Sequence, residues 1–293
     1  MTFADGVWDQ IFSFDNYSEL LALVRNSLVA GVALGLIGGL AGVFVLMRDL
    51  PFAVHGISEL SFAGASAALL LGANVVAGSI IGSLFAASVI AALGTRARDR
   101  NSTIGILMPF GLGLGVLFLA LYKGRAANKF GLLTGQIVAV DTPQTAWLLG
   151  TSAIVLAALM LMWRPLMFAS ADPDVAAARG VPVRGLSFAF MIVLGLAVAL
   201  SVQVVGALLV LSLVVTPAAA ASRVTASPVL LPLLSVLFAT ASIEGGILLA
   251  LGSSIPISPY VTTLSFGIYV ICRFSGTYRA RQWGNRTTTP HPT

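Results

Sequence analysis

Two side chains that can bind a cation lie close together near the start of a long apolar segment: His55 and Glu59. Residues four apart project from one face of a helix, so the imidazole and the carboxylate would point in the same direction. No further charged residue occurs from Leu60 to Thr95. A carboxylate inside such a segment is costly in lipid unless it meets a partner or a water-filled path, and it is by default a sign of function.

An imidazole with a carboxylate suits zinc, manganese and iron(II), whereas a copper(I) site would favour thiolate or thioether ligands. The first interpretation of the pair is therefore a site for a divalent metal ion. In the second, Glu59 accepts hydrogen bonds from Ser58, Ser61 or a backbone group within a buried network. His55 would then be a surface residue at the start of the helix.

A second carboxylate, Glu244, also lies inside an apolar segment, beside two glycines. It could line a path through the protein or brace neighbouring helices. We therefore treat Glu244 as a further candidate metal ligand, ranked below His55 and Glu59.

The composition identifies the class of protein. Of 293 residues, 58% are hydrophobic and only 9% are charged, against about 25% charged in soluble domains. This excludes a soluble globular protein and predicts an integral membrane protein. The net charge of +5 does not indicate nucleic-acid binding, because the basic residues form short clusters between apolar runs, as in the cytoplasmic loops of membrane proteins.

A transmembrane helix needs about 20 apolar residues, and the chain offers eight or nine such segments. The ninth is the short segment 204–222, separated from the preceding one near Gln203 and Gly206. We predict an all-α polytopic protein with spans at 26–47, 54–72, 75–93, 102–122, 144–163, 186–202, 204–222, 228–251 and 259–272.

Nine crossings place most basic groups on one side of the membrane, together with the C-terminus. The positive-inside rule makes that side the cytoplasm and puts the N-terminus outside. Lys123, Arg125 and Lys129 fall on the other side and count against the scheme. The favourable groups are Arg96, Arg98, Arg100, Arg164–Arg184, Arg223 and Arg273–Arg286.

Three regions follow from this pattern. Residues 1–20 form an amphipathic N-terminal segment, 21–275 the transmembrane domain, and 276–293 a disordered basic tail on the cytoplasmic side. Residues 130–140 are apolar but too short to span, which predicts an interfacial or re-entrant helix.

The loop at 164–185 contains the pattern of a short capped helix. Asp172 suits the N-cap, Pro173 the first helical position and Gly180 the C-terminal stop. Asp174 would interact favourably with the positive end of the helix dipole. Such a helix either shields the membrane surface or docks rigidly on a partner protein.

Three stretches of the sequence resemble the permease subunits of the ABC importers for zinc, manganese and iron. Residues 172–180 resemble the family's Asp-Pro-Glu-x-Ala-x-x-x-Gly segment, which forms its cytoplasmic coupling helix. Residues 204–223 resemble its Val-Gly-x-x-Leu-Val…Pro-Ala-Ala-x-Ala signature, and Arg48 with residues 55–64 resembles its Arg…Asp-x-x-Ser-His-x-x-x-x-Gly segment. The likeness covers roughly residues 25–275.

Two departures from the family pattern stand out. His55 and Glu59 occupy the places of the family's aspartate and histidine, so that acid and imidazole are exchanged. In addition, residues 254–259 read Ser-Ile-Pro-Ile-Ser-Pro where the family commonly has Asp-Leu-Pro-Ser-Gly-Pro.

The resemblance implies a homodimeric permease in the cell membrane without an ATPase motif of its own. A separate cytoplasmic ATPase would dock on Asp172, Pro173, Asp174, Ala177 and Gly180, and an extracellular or periplasmic solute-binding protein would deliver the ion. The cargo would be a divalent metal ion held by His55 and Glu59 from each copy, with no permanently bound cofactor and no nucleic-acid partner.

Three other functions compete with this one. A proton- or sodium-driven secondary transporter would use Glu59 and Glu244 as coupling acids. It leaves the capped helix unexplained. An ABC permease for cobalamin or an iron chelate would need a wide cavity and not a ligand pair. An intramembrane metalloenzyme would need more ligands, since neither an HExxH motif nor a second membrane histidine occurs.

Overall fold

The computed structural model describes residues 21, 24–93, 97–124, 131–132, 135, 142–207, 210–251 and 256–287. For 97–99, 142–144 and 276–287, only the backbone is described. The predicted N-terminal segment at 1–20 and most of the predicted interfacial helix at 130–140 lie outside these residues.

Helices account for nearly all of the described chain, and no strand occurs in it. Eight helices are long and apolar enough to cross a membrane, namely α1–α5, α7, α10 and α11. The prediction of an all-α polytopic membrane protein is therefore confirmed. The elements are α1 Arg25–Met47, α2 Pro51–Leu70, α3 Val75–Leu93, α4 Ala97–Leu121, α5 Thr142–Ala171, α6 Pro173–Ala178, α7 Val183–Val205, α8 Val210–Val214, α9 Thr216–Val224, α10 Leu230–Leu251 and α11 Ile257–Thr287.

Two helices are longer than their apolar segments. Helix α5 continues past Arg164 to Ala171, so the loop predicted at 164–185 is reduced to the residues around α6. Helix α11 continues to Thr287, into the segment for which we predicted disorder. Apolarity marks where lipid surrounds a helix, whereas backbone hydrogen bonding can continue beyond that boundary.

The segment 204–222 is divided into two short helices. Helix α7 ends at Gly206, whose φ of 89° lies in the left-handed region that glycine tolerates. Helices α8 and α9 follow and meet at Val215, just before Pro217 in the first turn of α9. Proline lacks the N–H that a continuous helix would need there. The predicted break near Gly206 is confirmed, but the predicted single helix is wrong.

Contacts between helices show that the chain alternates in direction. Helix α10 runs antiparallel to α1, since Thr240 packs on Gly35 and Val236 on Gly39. Residues 205–207 and 210–212 run parallel to α11. Their backbone carbonyls at Val205 and Ser212 accept hydrogen bonds from the hydroxyls of Ser258 and Ser265, both at 2.7 Å.

Residues 206–229 therefore lead from the end of the bundle where α7 finishes to the end where α10 begins. Helices α8 and α9 form this return, running alongside α1, with Leu213 at Gly38 and Ala218 at Gly42. Counted over the described elements, the chain crosses the bundle nine times. Eight of these crossings are full-length helices, in agreement with the nine-crossing scheme.

One end of the bundle, here called the arginine end, collects most of the described basic residues, whereas Arg25 at the start of α1 lies at the opposite end. Arg48 follows α1, Arg100 lies at the start of α4, Arg184 at the start of α7 and Arg223 near the end of α9. Lys123 follows α4 at the opposite end. The charge asymmetry predicted from the sequence is therefore present in the fold.

Glycines allow these helices to pack with their backbones in contact. A side chain at Gly39 would place its Cβ 2.5 Å from Val236 Cα, and Gly64 packs directly against Gly78 and Gly82 of α3. Small residues permit such close approach between membrane helices. The packing fixes the position of α2, which carries His55 and Glu59.

Candidate metal-ion site

His55 and Glu59 lie on one face of α2, in its second and third turns from the arginine end. Their Nε2 and Oε1 atoms are 3.6 Å apart, and the side chains are 27% and 3% exposed, respectively. This separation is too long for a hydrogen bond. Two donors that bind one ion tetrahedrally at about 2.1 Å are separated by about 3.4 Å, so a single cation fits between these atoms.

The neighbouring serines are engaged elsewhere. The Ser58 hydroxyl donates to the His55 carbonyl at 2.8 Å, and the Ser61 hydroxyl bonds to the Ser79 hydroxyl at 2.7 Å. The Oε2 atom of Glu59 and the Nδ1 atom of His55 are buried without a hydrogen-bond partner among the described residues. The serine network of the second interpretation, from Ser58 or Ser61 to Glu59, is therefore not formed among the described residues.

The backbone beneath Glu59 is fixed by α4. A Cβ at Gly111 would lie 2.7 Å from the Leu60 Cδ1 atom and 3.0 Å from the carbonyl carbon of Glu59, so the two helices are in close contact there. Gly56, between the two candidate ligands, faces Ile104 and Met108. The pair therefore projects from a helix whose position is set by backbone contact.

A single copy of the chain supplies an incomplete ligand set. Among the described residues no group of three or more His, Cys, Asp or Glu side chains is placed to hold a metal ion. Structural zinc sites use four protein ligands. Two ligands per chain leave room for water, or for the same pair from a second copy.

Glu244 belongs to a different part of the bundle. Its Oε1 atom is buried, has no hydrogen-bond partner among the described residues, and packs against Gly31, near the start of α1. At 1.5 Å per residue, Gly31 lies about 25 Å from Arg48 along α1, whereas Glu59 lies about 12 Å from the start of α2. The structure therefore does not bring Glu244 together with His55 and Glu59.

The loop between α5 and α7 forms the capped helix that the sequence predicts. The Oδ1 atom of Asp172 accepts a hydrogen bond from the Val175 N–H at 3.0 Å, and Pro173 occupies the first helical position. Asp174 lies in the first turn and Gly180 follows with a φ of 84°. Within this helix Ala176 is buried and Ala177 is exposed, so α6 presents part of its surface outward at the arginine end.

Arg48 is a residue that composition and spacing did not single out. Its Nε donates to the Ser170 hydroxyl at 2.9 Å and its Nη1 to the Ser187 hydroxyl at 3.0 Å. Ser170 lies at the end of α5 and Ser187 in α7. Arg48 therefore joins the α1–α2 turn to both helices that flank α6. The sequence signal was its place in the family segment that also contains His55 and Glu59.

Comparison with known proteins gives consistent results. The family model described as ABC 3 transport family matches residues 21–275. The manganese transport system membrane protein MntC of Halalkalibacterium halodurans is 28% identical over 241 residues, covering 82% of this chain and 80% of that protein. The high-affinity zinc uptake system membrane protein ZnuB of Haemophilus influenzae is 26% identical over 256 residues, covering 87% and 98%.

The fold also matches a solved structure. PsaBC from Streptococcus pneumoniae, determined in complex with a Fab, superimposes with a TM-score of 0.77 at 24% identity. The match covers 87% of this chain and 95% of that one. At this identity the likeness establishes a common fold.

Proposed function

The chain belongs to the ABC 3 transport family, and from that premise we propose that it is the membrane permease subunit of an ATP-driven importer for a divalent transition-metal ion. The observation that carries this proposal is the family match over residues 21–275, which includes every described membrane helix. Relatives of nearly the same extent are named as manganese and zinc transport proteins. We propose zinc, manganese or iron as the cargo, of which manganese and zinc are the metals named for these relatives.

His55 and Glu59 are the proposed ligands for the ion during passage. The free Oε2 and Nδ1 atoms and the 3.6 Å separation of the other two donors support this role. Two copies of the chain around a common axis would supply two imidazoles and two carboxylates. A transport site must also release its ion, which is consistent with a small ligand set in each chain.

Helix α6 is the proposed contact with a separate ATPase subunit. It is rigidly capped and exposed, and Arg48 joins its two flanking helices. Movement of α6 would therefore be transmitted to α1 and α2, and so to the helix that carries the candidate ligands. Residues Asp172, Pro173, Asp174, Ala177 and Gly180 belong to this contact.

The arginine end faces the cytoplasm in this proposal, since positive charge is retained on that side. The C-terminus then lies in the cytoplasm with α6 and the ATPase. A metal-binding solute-binding protein delivers the ion at the opposite end, and the functional permease is a homodimer in the cell membrane.

Reconstitution tests the proposal directly. The chain is placed in liposomes with its ATPase subunit and solute-binding protein, and uptake of manganese, zinc and iron(II) is measured. We expect uptake that requires ATP and is unaffected by a protonophore. Uptake without ATP that collapses with the protonophore would indicate a secondary transporter and overturn the proposal. Transport of cobalamin or an iron chelate in place of the free ions would also overturn it.

A further inference from the structure

A cavity of about 690 Å³ opens at the arginine end. Arg48, Arg100 and Arg184 line it, with Asp49 as its one acidic lining residue. Neither His55 nor Glu59 contributes to its wall, so the cavity is separate from the candidate metal-ion site.

The positive charge in this cavity is not neutralised by the described residues. No carboxylate of the described residues lies within 4.0 Å of the guanidinium groups of Arg48, Arg100 or Arg184. The ion-pair contact found among the described residues joins His55 and Glu59. Arg100 donates from Nη2 to the Asp49 carbonyl at 3.3 Å, but its buried Nε finds no partner in the described part of the chain.

The two inner arginines also repel each other. Burial lowers the pKa of the Arg48 guanidinium, and the positive charge of Arg100 lowers this pKa further. Arg48 uses Nε and Nη1 to hold Ser170 and Ser187, so its charge is fixed in place. An anion between the guanidinium groups would remove this repulsion.

Apart from Ser170 and Ser187, the remaining walls are largely apolar. They consist of side chains from the α1–α2 turn, α3 and α7, namely Met47, Leu50, Ile90, Phe188 and Met191. Phe188 is 44% exposed and Met47 is 39% exposed at the rim. A small inorganic anion would leave most of this volume and its apolar walls uncovered, because cavities of this size accommodate drug-sized molecules.

We propose that this cavity binds the phosphate group of an anionic phospholipid. Guanidinium groups match phosphate oxygens in a bidentate geometry, and basic pockets between membrane helices on the cytoplasmic side are suited to lipid headgroups. Arg100 and Arg184 are the phosphate ligands, and the acyl chain lies along Phe188 and Met191. Ser170 and Pro173 also line the cavity, so a bound lipid would brace the start of α6.

Thermal unfolding of the full chain in neutral detergent tests this assignment. Phosphatidylglycerol, phosphatidylcholine and inorganic phosphate are added separately to the wild type and to the Arg184→Gln variant. We expect phosphatidylglycerol to raise the Tm of the wild type by about 3 °C and to bind the variant about tenfold less tightly. Arg184 is exposed, so its replacement leaves the packing intact.

Arg164→Gln is the matched control, because Arg164 is exposed on α5 and does not line the cavity. It should retain the full shift, and Arg100→Gln should lose it. Inorganic phosphate as effective as phosphatidylglycerol would support the anion site but overturn lipid as its occupant. No shift with either probe, or an equal shift in wild type and Arg184→Gln, would overturn the site itself. The readout does not depend on transport, so its failure is distinct from failure of the proposed function.

Discussion

The serine hydroxyls around Glu59 decide how that carboxylate is interpreted. Ser58 bonds the backbone of its own helix and Ser61 bonds Ser79 across to α3. Glu59 is left 3% exposed with one oxygen unpaired. Burial of a carboxylate whose partners are incomplete is destabilising, whereas a bound cation would complete them. The arrangement therefore favours a ligand over a structural brace.

Replacement of either ligand should stop transport while the protein remains folded. Glu59→Gln and His55→Ala are each expected to reduce metal uptake at least about tenfold, because each removes a donor from a small ligand set. Uptake per amount of membrane-inserted protein is the measurement. Ser66→Ala is the control, since Ser66 is buried on the same helix and its hydroxyl lacks a partner. Normal uptake in both ligand variants would eliminate the site.

Exchange of the two groups addresses the reversal relative to the family. The double variant His55→Asp, Glu59→His keeps one imidazole and one carboxylate on the same helix face. We expect it to recover most of the uptake that either single change removes, and competition between metals then measures any change in preference. A double variant as inactive as the single ones would show that the order of the groups is itself required.

At the scale of elements, α6 is rigid for reasons that lie within the nine residues 172–180. The Asp172 cap, Pro173 and the left-handed Gly180 fix its two ends, and loss of such a cap costs about 1 kcal/mol. Arg48 then connects its flanking helices to the start of α2. A short helix held in this way can transmit displacement without bending.

A bulky charge on the outer face of α6 should separate ATP hydrolysis from transport. Ala177 is exposed, so Ala177→Arg leaves the fold intact but obstructs a close contact with the ATPase. We expect ATP hydrolysis to continue with much less metal transported per ATP. The ratio of metal transported to phosphate released measures the effect. Ala177→Ser, a small change at the same position, should behave as wild type, and an unchanged ratio in Ala177→Arg would exclude α6 as the coupling element.

At the scale of the whole molecule, the short return of 206–229 determines the orientation of everything after it. Helices α8 and α9 together are shorter than a membrane span, yet their contacts with α1 and α11 direct the chain to the arginine end. If this return is counted as a crossing of the bundle, Arg223 and the C-terminal end of α11 lie on the same side as α6. Without it, they would face the opposite side.

Single cysteines can test this topology. Cys272 is the only cysteine, so Cys272→Ala gives a background into which Asn74→Cys, Ala177→Cys or Ser227→Cys is introduced. We expect a membrane-impermeant maleimide to label position 74 in intact cells, and positions 177 and 227 only after permeabilisation. Position 227 is decisive, because labelling there in intact cells would establish eight crossings.

The sequence by itself determined the features that depend on local chemistry. Apolar length gave the class of protein and the approximate position of each span, since lipid requires continuous hydrophobic segments. Helix α6 was predictable from Asp172, Pro173 and Gly180, because capping involves only neighbouring residues. The i, i+4 spacing of His55 and Glu59 placed them on one face, since helix geometry is fixed.

Only the tertiary structure decided the features that depend on distant residues. Ser61 is engaged by Ser79 and not by Glu59, and packing alone separates Glu244 in depth from that site. The arginine-lined cavity likewise joins residues from the α1–α2 turn, α4 and α7. Hydrogen-bond partners and cavities arise where helices meet, and spacing along one chain does not specify which helices meet or at what depth.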